Sequence, residues 1–310
     1  MIKKNDNTND QINKFINFKD KIEDFLGDKK KISKIVSACI MSGGNILIED
    51  MPGIGKTTFV QILAKYLQLD MKRIQCTSDL LPSDIIGLEV YNPKENKFVF
   101  HKGPVFSNLL LADELNRSSP KTQSALLECM QEKNISVNRV TMKLPEPFFL
   151  IATQNPISYE GTYKIPESQL DRFTIKIKLD YPSEEREKEI FSKALINPLE
   201  NFEDNILTIE DIKKIQKISE SVHISDKIIK FVQDIVNQSR CHEDIMAGIS
   251  TRGGILWIRL AKSIALLAGR NFLIPDDLID IAHECLAHRM LFNEDNYERV
   301  LNKLFESVNI

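Results

Sequence analysis

The chain has 310 residues, 42% of them hydrophobic, and a net charge of −3 from 41 basic and 44 acidic side chains. That length suits one large or two ordinary domains with real cores, and so even a charge balance excludes a whole-chain demand for a polyanionic partner or an anionic membrane surface. No run approaches the ~18 consecutive apolar residues of a membrane span, and the start, MIKKNDNTNDQINKF, lacks a signal-peptide core, so a cytoplasmic protein is expected, with a flexible tail over residues 1–15.

From residue 16 to 181 short apolar runs alternate with helical patterns, the signature of an α/β domain with a largely parallel sheet. The expected strands are 46–48, 74–76, 109–113, 148–153 and 175–179. Between the first two, Phe59, Ile62, Leu63, Tyr66 and Leu67 recur at the helical period, so that helix packs by one face on the sheet. Two hairpins interrupt the alternation, near 87–104 around the turn NPKEN and near 135–147. From 182 to 310 there are helix starts at Ser183, Thr208, Asp226 and Pro275 and almost no strand signal, which predicts a small all-α domain with Trp257 in its core. Cys39, Cys76, Cys129, Cys241 and Cys285 are odd in number and scattered, and are expected to be reduced, buried thiols.

The stretch IEDMPGIGKTTF, residues 48–59, follows a strand and opens a helix, as a phosphate-binding loop of pattern G-x-x-x-x-G-K-[ST] does. Gly53, Gly55, Lys56 and Thr57 are present, but the first glycine is Asp50. The chemistry needs bare amides aimed at phosphate, a lysine on the β and γ oxygens, and a hydroxyl for Mg²⁺, here Thr57, at a helix N-terminus. An inward Asp50 carboxylate would repel phosphate, so it is expected to turn away. Alone, GIGKTT also fits a structural turn.

Further on, NLLLADELNRSSPKTQ is a buried strand ending in Asp113 and Glu114, and acids at that end of a parallel strand face the ligand crevice. Asp113 is the expected Mg²⁺ ligand and Glu114 the general base for water, the bland alternative being a charged pair that merely starts a loop. Ser119 and Pro120 cap the next helix. FFLIATQNP is another buried strand, with Asn155 at its tip to orient the lytic water.

These motifs resemble those of the MoxR-family AAA+ ATPases, from about Phe25 to the C-terminus and most closely in GPVFSNLLLADELNRSSPKTQSALLECMQE and FFLIATQNPISYEGTYKIPESQLDRF. The resemblance implies an αβα nucleotide-binding domain, a helical lid, ATP and Mg²⁺ as cofactors, and a homo-oligomeric ring, usually hexameric. It implies Walker A contacts from Pro52, Gly53, Ile54, Gly55, Lys56, Thr57 and Thr58, a Walker B pair of Asp113 and Glu114, and Asn155 as sensor 1. In ESQLDRF, Arg172 matches the arginine finger that acts on ATP in the neighbouring subunit, unless it forms a surface ion pair with Asp171 or Glu167. In GISTRGG, Arg252 matches sensor 2, reaching from the lid to the phosphates, with Arg259 as a competitor. IEDFLGDKK matches the adenine-lining segment and implies Phe25, Leu26 and Gly27. The hairpins resemble the family's pore-side insertions, where partners are contacted, or are decorative. His283, Cys285 and His288 point to different helix faces and are not expected to bind a metal.

The implied function is Mg²⁺-dependent ATP hydrolysis in a ring, with Lys56, Glu114, Asn155 and Arg172 as the catalytic set. Hydrolysis would drive remodelling, maturation or metal insertion of a client, typically one with a von Willebrand factor A domain. The alternatives are a nucleotide-gated switch with little turnover, and a nucleic-acid motor, which no basic excess supports.

Overall fold

The structure is a computed structural model that describes residues 6–27, 29–51, 53–137, 140–156, 162–192, 206–293 and 297–306. After two helices, α1 (Asp6–Leu26) and α2 (Lys30–Met41), come β1 (Ile46–Glu49), α3 (Lys56–Tyr66), β2 (Met71–Gln75), α4 (Pro82–Ile86), the hairpin β3 (Gly87–Asn92) and β4 (Lys97–Lys102), and β5 (Leu109–Asp113). Next are α5 (Pro120–Glu132), the hairpin β6 (Asn134–Val137) and β7 (Val140–Lys143), β8 (Phe149–Gln154), α6 (Glu167–Leu170) and β9 (Ile175–Ile177). The rest is α7 (Glu184–Ser192), α8 (Ile209–Glu220), α9 (Asp226–Cys241), β10 (Ile245–Ala247), α10 (Thr251–Leu267), α11 (Pro275–Ile279), α12 (Ala282–Leu286), β11 (Leu291–Phe292) and α13 (Tyr297–Glu306).

Strands β2, β5, β8, β1 and β9, in that order, form one five-stranded sheet whose neighbours all pair in parallel. Because successive side chains point to opposite faces, Ile46 and Ile48 join one core while Leu47 joins the other. Helices α1, α2 and α3 contribute to the first core, and α4 and α5 to the second. Covered on both faces, β5 is buried throughout, which is why its sequence reads as a continuous apolar run. Parallel pairing in register brings the carboxyl ends of β1, β8 and β5 to one edge, with Glu49 level with Gln154 and Gln75 level with Asp113.

The helical part does not stand apart. Trp257 of α10 is fully buried, donates from its indole N–H to the Leu278 carbonyl at 2.8 Å, and belongs to the same core as β1, α1 and α2. Among the described residues of this part the all-helical expectation holds apart from a short antiparallel pair of β10 with β11 and a single bridge of His223 with Phe272. Residues 6–15, expected as tail, are helical, and Phe15 is fully buried. The reason is a contact the local composition does not announce: α1 packs on α8 and α10, and Lys14 is 3.0 Å from Asp211 of α8.

Candidate functional site

The chain leaves β1 into a loop where Gly53 and Gly55 take φ of 87° and 89°. A side chain at either would meet nothing, so glycine is needed for the left-handed backbone rather than for space. Gly55 caps α3, which places Lys56, Thr57 and Thr58 in its first turn, and Ile54 packs against the main core. Pro52 lies outside the described residues. The Lys56 ammonium is folded onto the loop, donating to the carbonyls of Asp50 at 2.6 Å and Met51 at 3.0 Å. Burial lowers its pKa, and the negative charges of Asp50, Asp113 and Glu114 oppose that shift. Asp50 does turn away from the loop mouth. Its carboxylate accepts the backbone N–H of Leu179 and that of Asp180, just beyond β9.

Asp113 is nearly buried at the end of β5, and its two oxygens have different partners. One accepts from Thr153 Oγ1 at 2.6 Å, the other pairs with Arg73 of β2 at 2.7 Å. Glu114 leaves the strand with φ 55°, its N–H donating to the same Thr153 oxygen at 2.8 Å. Its carboxylate is engaged by Gln75 and Arg117, both at 2.9 Å. Thr153, Arg73 and Gln75 were not singled out from the sequence. The signal for Thr153 was the polar end of an otherwise apolar strand; for the other two it was polar alternation on an edge strand. Asn155 directly follows β8, and its carbonyl accepts from Asn116 at 3.1 Å. The Ser119 cap forms as expected, accepting the Thr122 N–H.

A hard divalent cation takes oxygen donors, and a carboxylate at the crevice floor with a hydroxyl on the facing helix suits Mg²⁺. Asp113 and Thr57 supply those groups. Lys56 is tied to the loop that leaves β1, Asp113 and Glu114 follow from β5, and parallel pairing of both strands with β8 brings their carboxyl ends to one edge, so the two halves of the site face one crevice.

The residues expected beside adenine close α1. Phe25 stacks on Phe59 of α3, centroids 6.2 Å apart, and the Phe25 carbonyl accepts from Arg186 at 3.0 Å. Leu26 packs against the main core, and Gly27 ends the helix with φ 73°.

Arg172 pairs with neither of its acidic neighbours. Glu167 is held by Lys164 at 2.6 Å, and Asp171 by three residues of the helical part: Arg289 at 2.9 Å, Ser250 at 2.9 and 3.0 Å, and Arg252 at 3.6 Å. The Arg172 Nε is buried without a partner among the described residues. Arg252, rather than Arg259, is thus brought to this segment, and in this structure it meets Asp171. His288 is buried with Nε2 3.1 Å from the Phe173 carbonyl, and burial holds its pKa well below the usual imidazole value. No metal-binding cluster occurs among the described residues. All five cysteines are free; four are buried as expected, but Cys241, at the end of α9, is exposed. No described helix is long and apolar enough to cross a membrane.

Comparison with known proteins gives two family matches. Residues 45–175 match the profile of the ATPase family associated with various cellular activities (AAA), and residues 237–303 match the AAA lid domain. The uncharacterised protein YeaC of Bacillus subtilis is 43% identical over 86% of this chain and 83% of its own. The chaperone MoxR1 of Mycobacterium tuberculosis is 37% identical over 87% of this chain and 75% of its own. A crystal structure of a Cytophaga hutchinsonii protein superposes with a TM-score of 0.86 at 37% identity, covering 97% of both chains.

Proposed function

The chain belongs to the MoxR family of AAA ATPases, and from that premise we propose that it hydrolyses ATP in a homo-oligomeric ring, a hexamer, to remodel, mature or metallate a client protein carrying a von Willebrand factor A domain. The observation that carries this reading is the placement of Lys56, Asp113 and Glu114 at the same carboxyl edge of the parallel sheet. Bound there, Mg²⁺ would neutralise charge on the β and γ oxygens, with Asp113 and Thr57 holding it. Lys56 leaves the loop carbonyls for the phosphate oxygens. Glu114, released from Gln75 and Arg117, takes a proton from the attacking water, which Asn155 orients. Arg172 of one subunit offsets the charge that develops on the γ-phosphate of the next, and Phe25, Leu26 and Gly27 flank the adenine. Arg252 moves from Asp171 toward the phosphates when nucleotide is present.

The client reading is supported by the name of the chaperone relative and by the β3–β4 hairpin, which leaves Leu88, Val90, Tyr91 and Phe98 exposed. A second reading, a nucleotide-gated switch, draws on the ties that occupy Asp113 and Glu114. Steady-state ATPase activity across a protein concentration series with Mg²⁺ separates the two. Specific activity that rises with concentration and is lost in Lys56→Ala, Glu114→Gln and Arg172→Ala supports the ring hydrolase; ATP binding without turnover at any concentration, with or without client, supports the switch.

A further inference from the structure

We propose that Arg289 is a positioning residue for the arginine finger: from the helical domain it fixes the backbone around Arg172, so that lid placement at one nucleotide site conditions catalysis at the next. The proposal rests on the reading of Arg172 as a finger that acts on the neighbouring subunit.

The Arg289 side chain is completely buried, and all of its donors are used. Its Nε donates to the Cys285 carbonyl at 2.6 Å, fixing the fork to its own helical turn. Nη1 donates to the Asp171 carbonyl and, at 2.9 Å, to the Asp171 carboxylate. Nη2 donates to the carbonyl of Phe173 and, at 3.2 Å, to that of Thr174. The planar fork therefore grips the residues on both sides of Arg172 across 118 positions of sequence. Burying a guanidinium is unfavourable unless every donor is matched, and a purely structural contact would be met by an apolar side chain of similar volume. Here four of the five matching acceptors lie in the finger segment itself.

Four further facts point the same way. Arg172 forms no ion pair among the described residues and its Nε has no partner there, so its aim is set by the backbone that Arg289 holds. Ser250, which caps α10 through the Gly253 N–H at 2.9 Å, also bonds both oxygens of Asp171. Arg252, in the first turn of the same helix, reaches that carboxylate too. A Cβ at Gly253 would lie 3.1 Å from Arg289 Cδ, so α10 is bare where the arginine passes. Asp171 thereby joins the lid's phosphate-facing end to the finger, and a lid shift has to be carried into, or break, the hold on residues 171–174.

The test uses mixed assemblies in which an excess of a hydrolysis-dead donor, Glu114→Gln, supplies fingers to wild-type sites. A Glu114→Gln/Arg289→Gln donor is expected to lower the kcat of the wild-type sites by about a hundredfold, as a misplaced group does, with KM for ATP unchanged. A Glu114→Gln/Arg172→Ala donor is the reference. If the Arg289 donor matches plain Glu114→Gln while the Arg172 donor impairs turnover, the positioning role is overturned and the finger stands. If neither donor impairs turnover, the finger reading itself fails. Should Arg289→Gln not assemble, Glu114→Gln donors carrying Arg289→Lys or Ser250→Ala decide: a kcat loss at constant KM supports the proposal, and no loss overturns it.

Discussion

The phosphate-loop side and the finger side of this site are built by different means. On the first, the functional groups sit at the ends of parallel strands or in the first turn of the helix that follows, and both acids take partners from neighbouring strands of the same sheet: Thr153 with Asp113, Gln75 with Glu114. On the second, a short turn after α6 is held by Arg289, Ser250 and Arg252, all from the helical domain. The first arrangement is rigid because the sheet is. The second is only as fixed as the lid, which would suit the proposed action of Arg172 on another subunit.

That contrast predicts opposite behaviour in mixing experiments, and here the largest effect is expected. Arg172→Ala should lose about 10³-fold or more in kcat, the worth of an arginine finger, with ATP binding retained. Mixed with Glu114→Gln, it should regain turnover, because the intact Glu114 site is then served by the intact neighbouring finger. Lys56→Ala mixed with Glu114→Gln should not, since those two groups must come from one chain. Complementation by the second pair, or none by the first, would erase the distinction.

Next in size is Trp257→Ala. Loss of a fully buried Trp should reduce stability by about 3–5 kcal/mol. Because its core continues into α1, α2 and β1, unfolding followed by heat should remain a single transition at lower Tm, without a separate lid step. A biphasic melt would show that the lid is the looser unit.

The same contrast explains what could be read from the sequence. Strands 109–113 and 148–153 were legible because burial on both faces writes an uninterrupted apolar run. The second strand was expected at 74–76 but runs Met71–Gln75: at the sheet edge Lys72, Arg73 and Gln75 stay exposed, and only Ile74 is buried. Asp50 broke the loop pattern, yet its role is a hydrogen bond to a strand end about 130 residues away, which no local motif encodes. Arg289 and Ser250 were missed for the same reason: nothing in AHRM or GIST records that they meet Asp171.

A smaller effect is expected at Thr153. Its hydroxyl donates to one oxygen of Asp113 and accepts from the Glu114 N–H, so Thr153→Val strips the N–H of its partner and leaves Asp113 held by Arg73 alone. The cost is about 1–3 kcal/mol, seen as a drop in kcat of about tenfold or more if the misplaced groups are, as proposed, the metal ligand and the base. An equal loss of stability with unchanged kcat would assign Thr153 to folding alone.

The smallest effect is at the tie between α1 and the lid. Burial of the Asp211 carboxyl would raise its pKa, but hydrogen bonds from the Thr208 N–H and hydroxyl and from Lys14 outweigh it and bring the value to about 2. A carboxyl whose folded pKa lies below its unfolded value near 3.8 binds fewer protons when folded. Its stabilising contribution is therefore complete above pH of about 4 and is lost as pH falls toward 2. With solvent screening discounted, that contribution is about 1 kcal/mol, so wild type should lose that much more than Asp211→Asn across this interval in urea titrations. Arg172→Ala should follow the wild-type curve, because the finger touches no part of this tie; if it instead followed Asp211→Asn, the two ends of the lid would be coupled through α1 as well as through Asp171.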